Sequence, residues 1–229
     1  IAYAKTLEAR QDVRNKAEID RYVAESYYMK GDFKKALAMF EAFEQNYPHL
    51  SREDYYQLGY CNYQSGNFKK AVSYYEKILN TRDKLQQTAY FNMADCFIRI
   101  KDKQSARNAL QFASRDTFDT AIREQALFNY AKLSYELGYQ DIALSEFQEF
   151  LETYPQSSYA QEAREGLVRV LANTNNYQEA LSLLESIQSP TAEAMKNYPR
   201  ILYGRATEFI NDGALPAAED LLTKAETIS

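Results

Sequence analysis
The chain has no tryptophan, one histidine, two cysteines, five prolines and seven glycines among its 229 residues. Each shortage excludes something. So little Gly and Pro leaves little punctuation, and a β-rich fold needs a turn after every short strand. Long helices are the reading that remains. Cys61 and Cys96 form no Cys-x-x-Cys unit, and with His49 as the single His they can build neither a zinc site nor a thioredoxin-like motif. Both read as buried thiols behaving as small apolar side chains. A Ser-His-Asp or Cys-His constellation would have to run through His49, which sits in "NYPHLS" with no nucleophile signature beside it, so it reads as a surface-loop residue. No GxxxxGK[ST] and no GxGxxG is present to cradle phosphate. No apolar run approaches the ~18 residues of a membrane span.

Charge adds one exclusion. The formal net charge is −5, against nucleic acid as main partner. Asp and Glu number 32, so adjacent carboxylates arise by chance. The pairs at 53–54 and 219–220 read as solvated helix charge rather than a glycosidase-like pair. Lys34–Lys35 and Lys69–Lys70 read as a solvated convex face. No enzyme activity, metal or cofactor is expected. The hydrophobic fraction of 45% and charged fraction of 26% belong to ordinary globular proteins. The sequence starts at Ile1 without Met, so it reads as a piece of a longer protein from which a signal sequence could have been removed.

What is present is a repeat. "VAESYYMKGDFKKALAMFEAF" (23–43) aligns with "LGYCNYQSGNFKKAVSYYEKI" (58–78). Further copies begin at 93, 130, 167 and 205, and the starts step by 35, 35, 37, 37 and 38 residues. Each copy predicts two amphipathic helices. In the fourth, Leu127, Tyr130, Ala131 and Ser134 share one side of the first helix, and Ala143, Phe147 and Phe150 follow helical spacing on the second. Gly31, Gly66 and Gly138 mark the turns between helices, with Lys101 in that place in the third copy. Small residues recur at fixed points: Ala24, Gly59, Ala94 and Ala131 in first helices, with Val168 departing in the fifth, and Ala36, Ala71, Ala106, Ala143, Ala180 and Ala218 in second helices. They let helices approach closely, and Phe40, Tyr75 and Phe147 fill the wider spaces. Tyr47–Pro48 and Tyr154–Pro155 read as helix stops.

This pattern resembles the tetratricopeptide repeat (TPR) family: a large residue, Leu-Gly, Tyr, a turn Gly, Ala, Phe, Ala and Pro over about 34 residues. "QLGYCNYQSGNFKKAVSYYEKI" carries most of it in order. The expected fold is all-α, a TPR-type α-solenoid forming a right-handed superhelix of antiparallel helix pairs. Residues 1–16 read as the tail of a preceding repeat or a flank, and 17–229 as about six repeats (17–51, 52–86, 87–123, 124–160, 161–198, 199–229). Endings such as "FLETYPQSSYAQEAREGL" are similar to TPR proteins of bacterial envelope assembly, which implies a periplasmic or cell-envelope location, with a cytoplasmic one as the alternative.

The resemblance also implies where a ligand docks. First helices line the concave side of such a superhelix, placing Tyr28, Tyr56, Tyr60, Tyr63, Phe91, Arg99, Phe128, Lys132 and Tyr135 along an aromatic groove. Tyr joins a rigid apolar body to a hydrogen-bonding tip, which suits partner surfaces, although many of 20 Tyr must simply pack. The Lys/Asn/Arg clamp with which chaperone-binding TPR domains hold a C-terminal carboxylate is absent: Arg21, Glu25, Tyr60, Thr88 and Asn92 stand at its slots. The expected function is a non-catalytic scaffold for a protein or peptide partner. A docking or regulatory arm of a larger protein or enzyme and a self-association module are the alternatives. No nucleic acid partner is expected.

Overall fold
A computed structural model of the chain describes residues 16–47 and 49–228, and every regular element among them is an α-helix. The expected flank thus lies outside the described residues up to position 15, as does Pro48. The helices are α1 Lys16–Met29, α2 Phe33–Asn46, α3 Arg52–Gln64, α4 Phe68–Glu76, α5 Lys84–Arg99, α6 Lys103–Arg115, α7 Thr120–Glu136, α8 Gln140–Thr153, α9 Ala160–Asn173, α10 Tyr177–Ser186, α11 Ala192–Met195, α12 Tyr198–Asn211 and α13 Leu215–Ile228. The chain forms two compact units, residues 1–123 and 124–229, and the division falls inside α7.

In unit 1, α1 packs on α2, α3 on α4 and α5 on α6; α2 then meets α3, and α4 meets α5. In unit 2, α8 packs on α9, α9 on α10, α10 on α12 and α12 on α13. The four-residue α11 interrupts the expected two-helix rhythm. Thr191 caps it by accepting from the Ala194 N–H at 3.2 Å.

One turn recurs six times. Gly31, Gly66, Gly138 and Gly213 have φ between +76° and +84°. The N–H after each bonds back to a carbonyl of the preceding helix, as from Asn67 to Asn62 at 2.9 Å and from Tyr139 to Ser134 at 2.8 Å. This is the Schellman closure, which needs a left-handed residue. Lys101 (φ 65°) and Asn175 (φ 61°) make the same turn without glycine. The Asp102 and Asn176 N–H groups close it on Phe97 and Leu171.

The small residues sit where helices touch. Ala24, Ala36, Ala71, Ala106, Ala131, Ala143 and Ala180 are fully buried. A methyl group on Gly59 would stand 2.7 Å from the ring of Tyr75, itself fully buried. In the fifth first helix Val168 is also fully buried, and Gly166, two residues earlier, takes the close contact: its Cβ would lie 2.6 Å from Phe147. The core of unit 2 gathers Leu127, Ala131, Ala143, Phe147, Phe150, Leu167 and Val170.

Candidate functional site
Five of the residues expected at a binding surface, Tyr28, Tyr56, Tyr60, Tyr63 and Arg99, cluster in unit 1. Helical spacing stacks Tyr56, Tyr60 and Tyr63 along α3, and the neighbouring pair brings Tyr28 from the end of α1 and Phe33 from the start of α2. Tyr60 is the hub. Its ring lies 5.7 Å from Tyr28 and 5.3 Å from Phe33, both edge-on, 6.4 Å from Tyr56 in a stack, and 6.0 Å from Tyr63. Such geometries are the favoured ones for aromatic pairs. All four tyrosines are half-buried.

Their hydroxyls divide into two groups. Tyr56 Oη accepts from Asn92 Nδ2 at 3.1 Å. Tyr63 Oη donates to Asp95 Oδ2 at 2.5 Å and accepts from Arg99 Nη2 at 3.3 Å. Arg99 Nε also meets Asp95 Oδ2 at 2.7 Å, and its guanidinium lies over Tyr63 and Phe68, 5.4 and 5.3 Å from the ring centres. Tyr28 and Tyr60 Oη have no hydrogen-bond partner among the described residues. Burial pushes the phenols of Tyr28, Tyr56 and Tyr63 above their ordinary pKa, so they stay neutral hydrogen-bonding groups at physiological pH. Phe91, on α5, is half-buried.

Unit 2 departs from expectation. Phe128 is 3% exposed. It stacks on Tyr159 at 4.9 Å and meets Phe150 at 5.5 Å, so its ring belongs to the core and cannot line a groove. Lys132 is half-buried and paired with Glu162 at 2.7 Å. Tyr135 is half-buried, accepts from Asn173 Nδ2 at 3.0 Å and lies under Arg169 at 5.9 Å.

The sequence reading missed a set of ties between successive helix pairs. Arg21 Nε meets Asp54 Oδ1 at 2.7 Å, and Asp54 closes a capping box with Ser51 at the start of α3. Arg52 grips Asp83, the N-cap of α5, with two nitrogens at 2.5 and 3.1 Å and donates to Ile78 O at 2.8 Å. Arg82 Nε meets Asp116 at 2.6 Å. The signal was there: an Arg roughly one repeat ahead of an Asp, three times over. Gln87, fully buried, donates to the carbonyls of Ala113 and Asp116 and accepts from the Asp119 N–H at 2.8 Å, which fixes the loop after α6. In unit 2, buried Glu165 accepts from Thr191 N–H and Oγ1 at 2.9 and 2.6 Å. Burial raises its pKa, but these bonds outweigh burial and hold the carboxyl below its ordinary value. These are structural joints.

His49 is exposed, and Cys61 and Cys96 are buried free thiols. Among the described residues no group of three or more His, Cys, Asp and Glu could hold a metal. No helix among them is long and apolar enough to cross a membrane.

Comparison with known proteins fits this architecture. A family model named YfiO and described as an outer membrane lipoprotein matches residues 15–178. No curated protein matches the chain. Among solved structures, MamA is 18% identical with a TM-score of 0.59, over 80% of this chain and 93% of its own. A tetratricopeptide repeat protein from Parabacteroides merdae is 20% identical with a TM-score of 0.57, over 93% of this chain and 80% of its own. YrrB, a TPR protein with an unusual peptide-binding site, is 19% identical with a TM-score of 0.51, over 82% and 91%. At these identities the likeness shows the fold, a TPR-type α-solenoid.

Proposed function
The chain belongs to the YfiO family of outer membrane lipoproteins, and from that premise we propose that it is a non-catalytic scaffold holding a partner protein or peptide on the aromatic surface of unit 1. The fold supports an interaction scaffold in general. One observation carries the narrower reading: the aromatic cluster around Tyr60 holds two half-buried tyrosines, Tyr28 and Tyr60, whose hydroxyls make no hydrogen bond within the described residues. A half-buried phenol without a protein partner is a place where a ligand's carbonyl gains a hydrogen bond and its apolar side chain gains contact area.

The surface is assigned to Tyr28, Tyr56, Tyr60 and Tyr63, with Arg99 over Tyr63 at its border and half-buried Phe91 of α5 as a further proposed member. Lys132 and Tyr135 form a second, lesser contact in unit 2, and Phe128 is dropped. The family's description supports a cell-envelope location, and the proposal extends to the periplasm.

The test is crosslinking in cell-envelope extract with the wild-type chain and with Tyr60→Ala plus Tyr63→Ala. The expected result is a specific partner whose affinity falls more than about tenfold in the double variant, the loss of roughly 1.4 kcal/mol or more that aromatic hot spots give. Unchanged capture by a folded double variant would overturn the assignment.

A further inference from the structure
The turns between paired helices differ between the units in a way the partner surface does not use. In unit 1 the stretches 30–35, 65–70 and 100–105 hold seven lysines: Lys30, Lys34, Lys35, Lys69, Lys70, Lys101 and Lys103. Their two acidic residues, Asp32 and Asp102, are N-caps whose carboxylates accept the backbone N–H groups of Lys35 and Ser105. In unit 2 the equivalent stretches 137–142, 174–179 and 212–217 hold no Lys or Arg, and hold Asp141, Glu179 and Asp212.

The basic turns lie side by side. One shallow pocket is shared by Gly31, Phe33 and Lys34 of the first turn with Gln64 and Ser65 of the second. The next is shared by Gly66 and Phe68 with Arg99 at the end of α5. All seven lysines are exposed. Lys35 and Lys70 are paired with Asp32 and Glu41. No ion pair among the described residues engages Lys30, Lys34, Lys69 or Lys101. Apolar side chains stand among them: Met29 is 81% exposed and Ile98 47%.

We propose that this turn edge of unit 1 rests on an anionic phospholipid surface. Lysine is a compact charge on a flexible stem and asks for no fixed geometry, unlike the planar fork of arginine that matches one carboxylate. Seven such charges spread over three turns, with exposed Met and Ile between them, match a fluid sheet of phosphates above an apolar layer better than a single acidic side chain on a protein. Each basic residue near an anionic bilayer strengthens attachment about fivefold, within a Debye length of the lipid. The proposal is independent of the partner-binding reading, because none of these lysines lies in the Tyr60 cluster.

The test is co-sedimentation of the 229-residue chain with vesicles of phosphatidylethanolamine and phosphatidylglycerol, against vesicles of phosphatidylcholine alone. The expected result is retention by the anionic vesicles only, lost on raising the ionic strength. Lys34→Glu plus Lys69→Glu should lower partitioning more than about tenfold. Lys84→Glu plus Lys196→Glu, the same charge change away from the edge, should leave it near wild type. Tyr60→Ala plus Tyr63→Ala should also bind vesicles normally, which separates this proposal from the preceding one. Failure of the wild-type chain to bind anionic vesicles would overturn it. So would equal losses in the two lysine variants, which would assign binding to net charge. Far-UV circular dichroism of each variant keeps misfolding apart from lost binding.

Discussion
Units 1 and 2 repeat the same helix–turn–helix joint, yet residues 1–123 hold 20 Lys and Arg against 16 Asp and Glu, and residues 124–229 hold 7 against 16. The interiors differ in the same sense. Unit 1 ties its pairs with Arg21–Asp54, Arg52–Asp83 and Arg82–Asp116 and stacks half-buried tyrosines around Tyr60. Unit 2 joins its pairs through an apolar cluster in which Phe128, Phe147, Phe150 and Tyr159 meet. The lesson is that the repeat specifies the joint and leaves the glue free. Polar glue keeps aromatic surface at the boundary with water, and apolar glue absorbs it. Phe128 shows this directly: it has a groove residue's place in the repeat, and unit 2 buries it.

The comparison breaks most visibly at Phe150, fully buried at the centre of the unit 2 cluster. Phe150→Ala should cost about 3–5 kcal/mol. Since each repeat touches mainly its neighbours, hydrogen exchange should accelerate through α8 to α10 while α1 to α4 keep their protection. Uniform loss across both units would mean that the two unfold as one. Overpacking comes next. Ala143 is fully buried, and Ala143→Leu should cost about 1–3 kcal/mol in a urea melt.

Unit 1 should answer to charge. Arg52→Ala removes the grip on the α5 cap and should cost about 1–2 kcal/mol, less in high salt because the pair is partly exposed. Asp83 also gives the effect a pH signature. Arg52, and then the Gln86 N–H, hold its carboxyl below the usual range in the folded state. A depressed folded pKa means that the stabilisation is fully present above the unfolded aspartate value of about 4 and is lost as pH falls through the lower folded value. Melting temperature should therefore drop across that acidic window, and Asp83→Asn should flatten the drop. A variant with the full wild-type slope would assign the effect to other carboxylates.

The smallest effect contrasts two turns. Lys101→Gly relieves a left-handed residue and should gain up to about 1 kcal/mol, whereas Gly138→Ala introduces the same strain and should lose about 1 kcal/mol. A thermal melt with the signs reversed would show that the two turns are not equivalent.

Much of this was legible in the residues. Gly31, Gly66 and Gly138 announced the left-handed turn because glycine pays no steric cost there. Lys101 keeps the turn without the usual letter: its φ is 65° and the Asp102 N–H still closes on Phe97 O at 2.9 Å. The alanines and Gly59 marked close helix contacts, and all are buried. Gly166 went unread, although a glycine inside a helix costs stability and implies a packing reason. The clustering of tyrosines in unit 1 was legible because α3 carries Tyr56, Tyr60 and Tyr63 on one stripe. The burial of Phe128 was not, since it depends on Tyr159, the residue that opens α9 of the next helix pair. The Arg–Asp ties were hidden for the same reason: each partner looks like an ordinary surface charge until the next pair docks.

The two buried thiols now have a further use. Cys61 lies on α3 and Cys96 on α5, both fully buried, and burial pushes each pKa up to about 12. A thiol so placed is almost never a thiolate at neutral pH, so it reacts only while its helix is out of place. With both in unit 1 and none in unit 2, alkylation of the unmodified chain works as a one-sided clock. It counts how often the aromatic half opens and ignores every motion of the acidic half that leaves unit 1 closed.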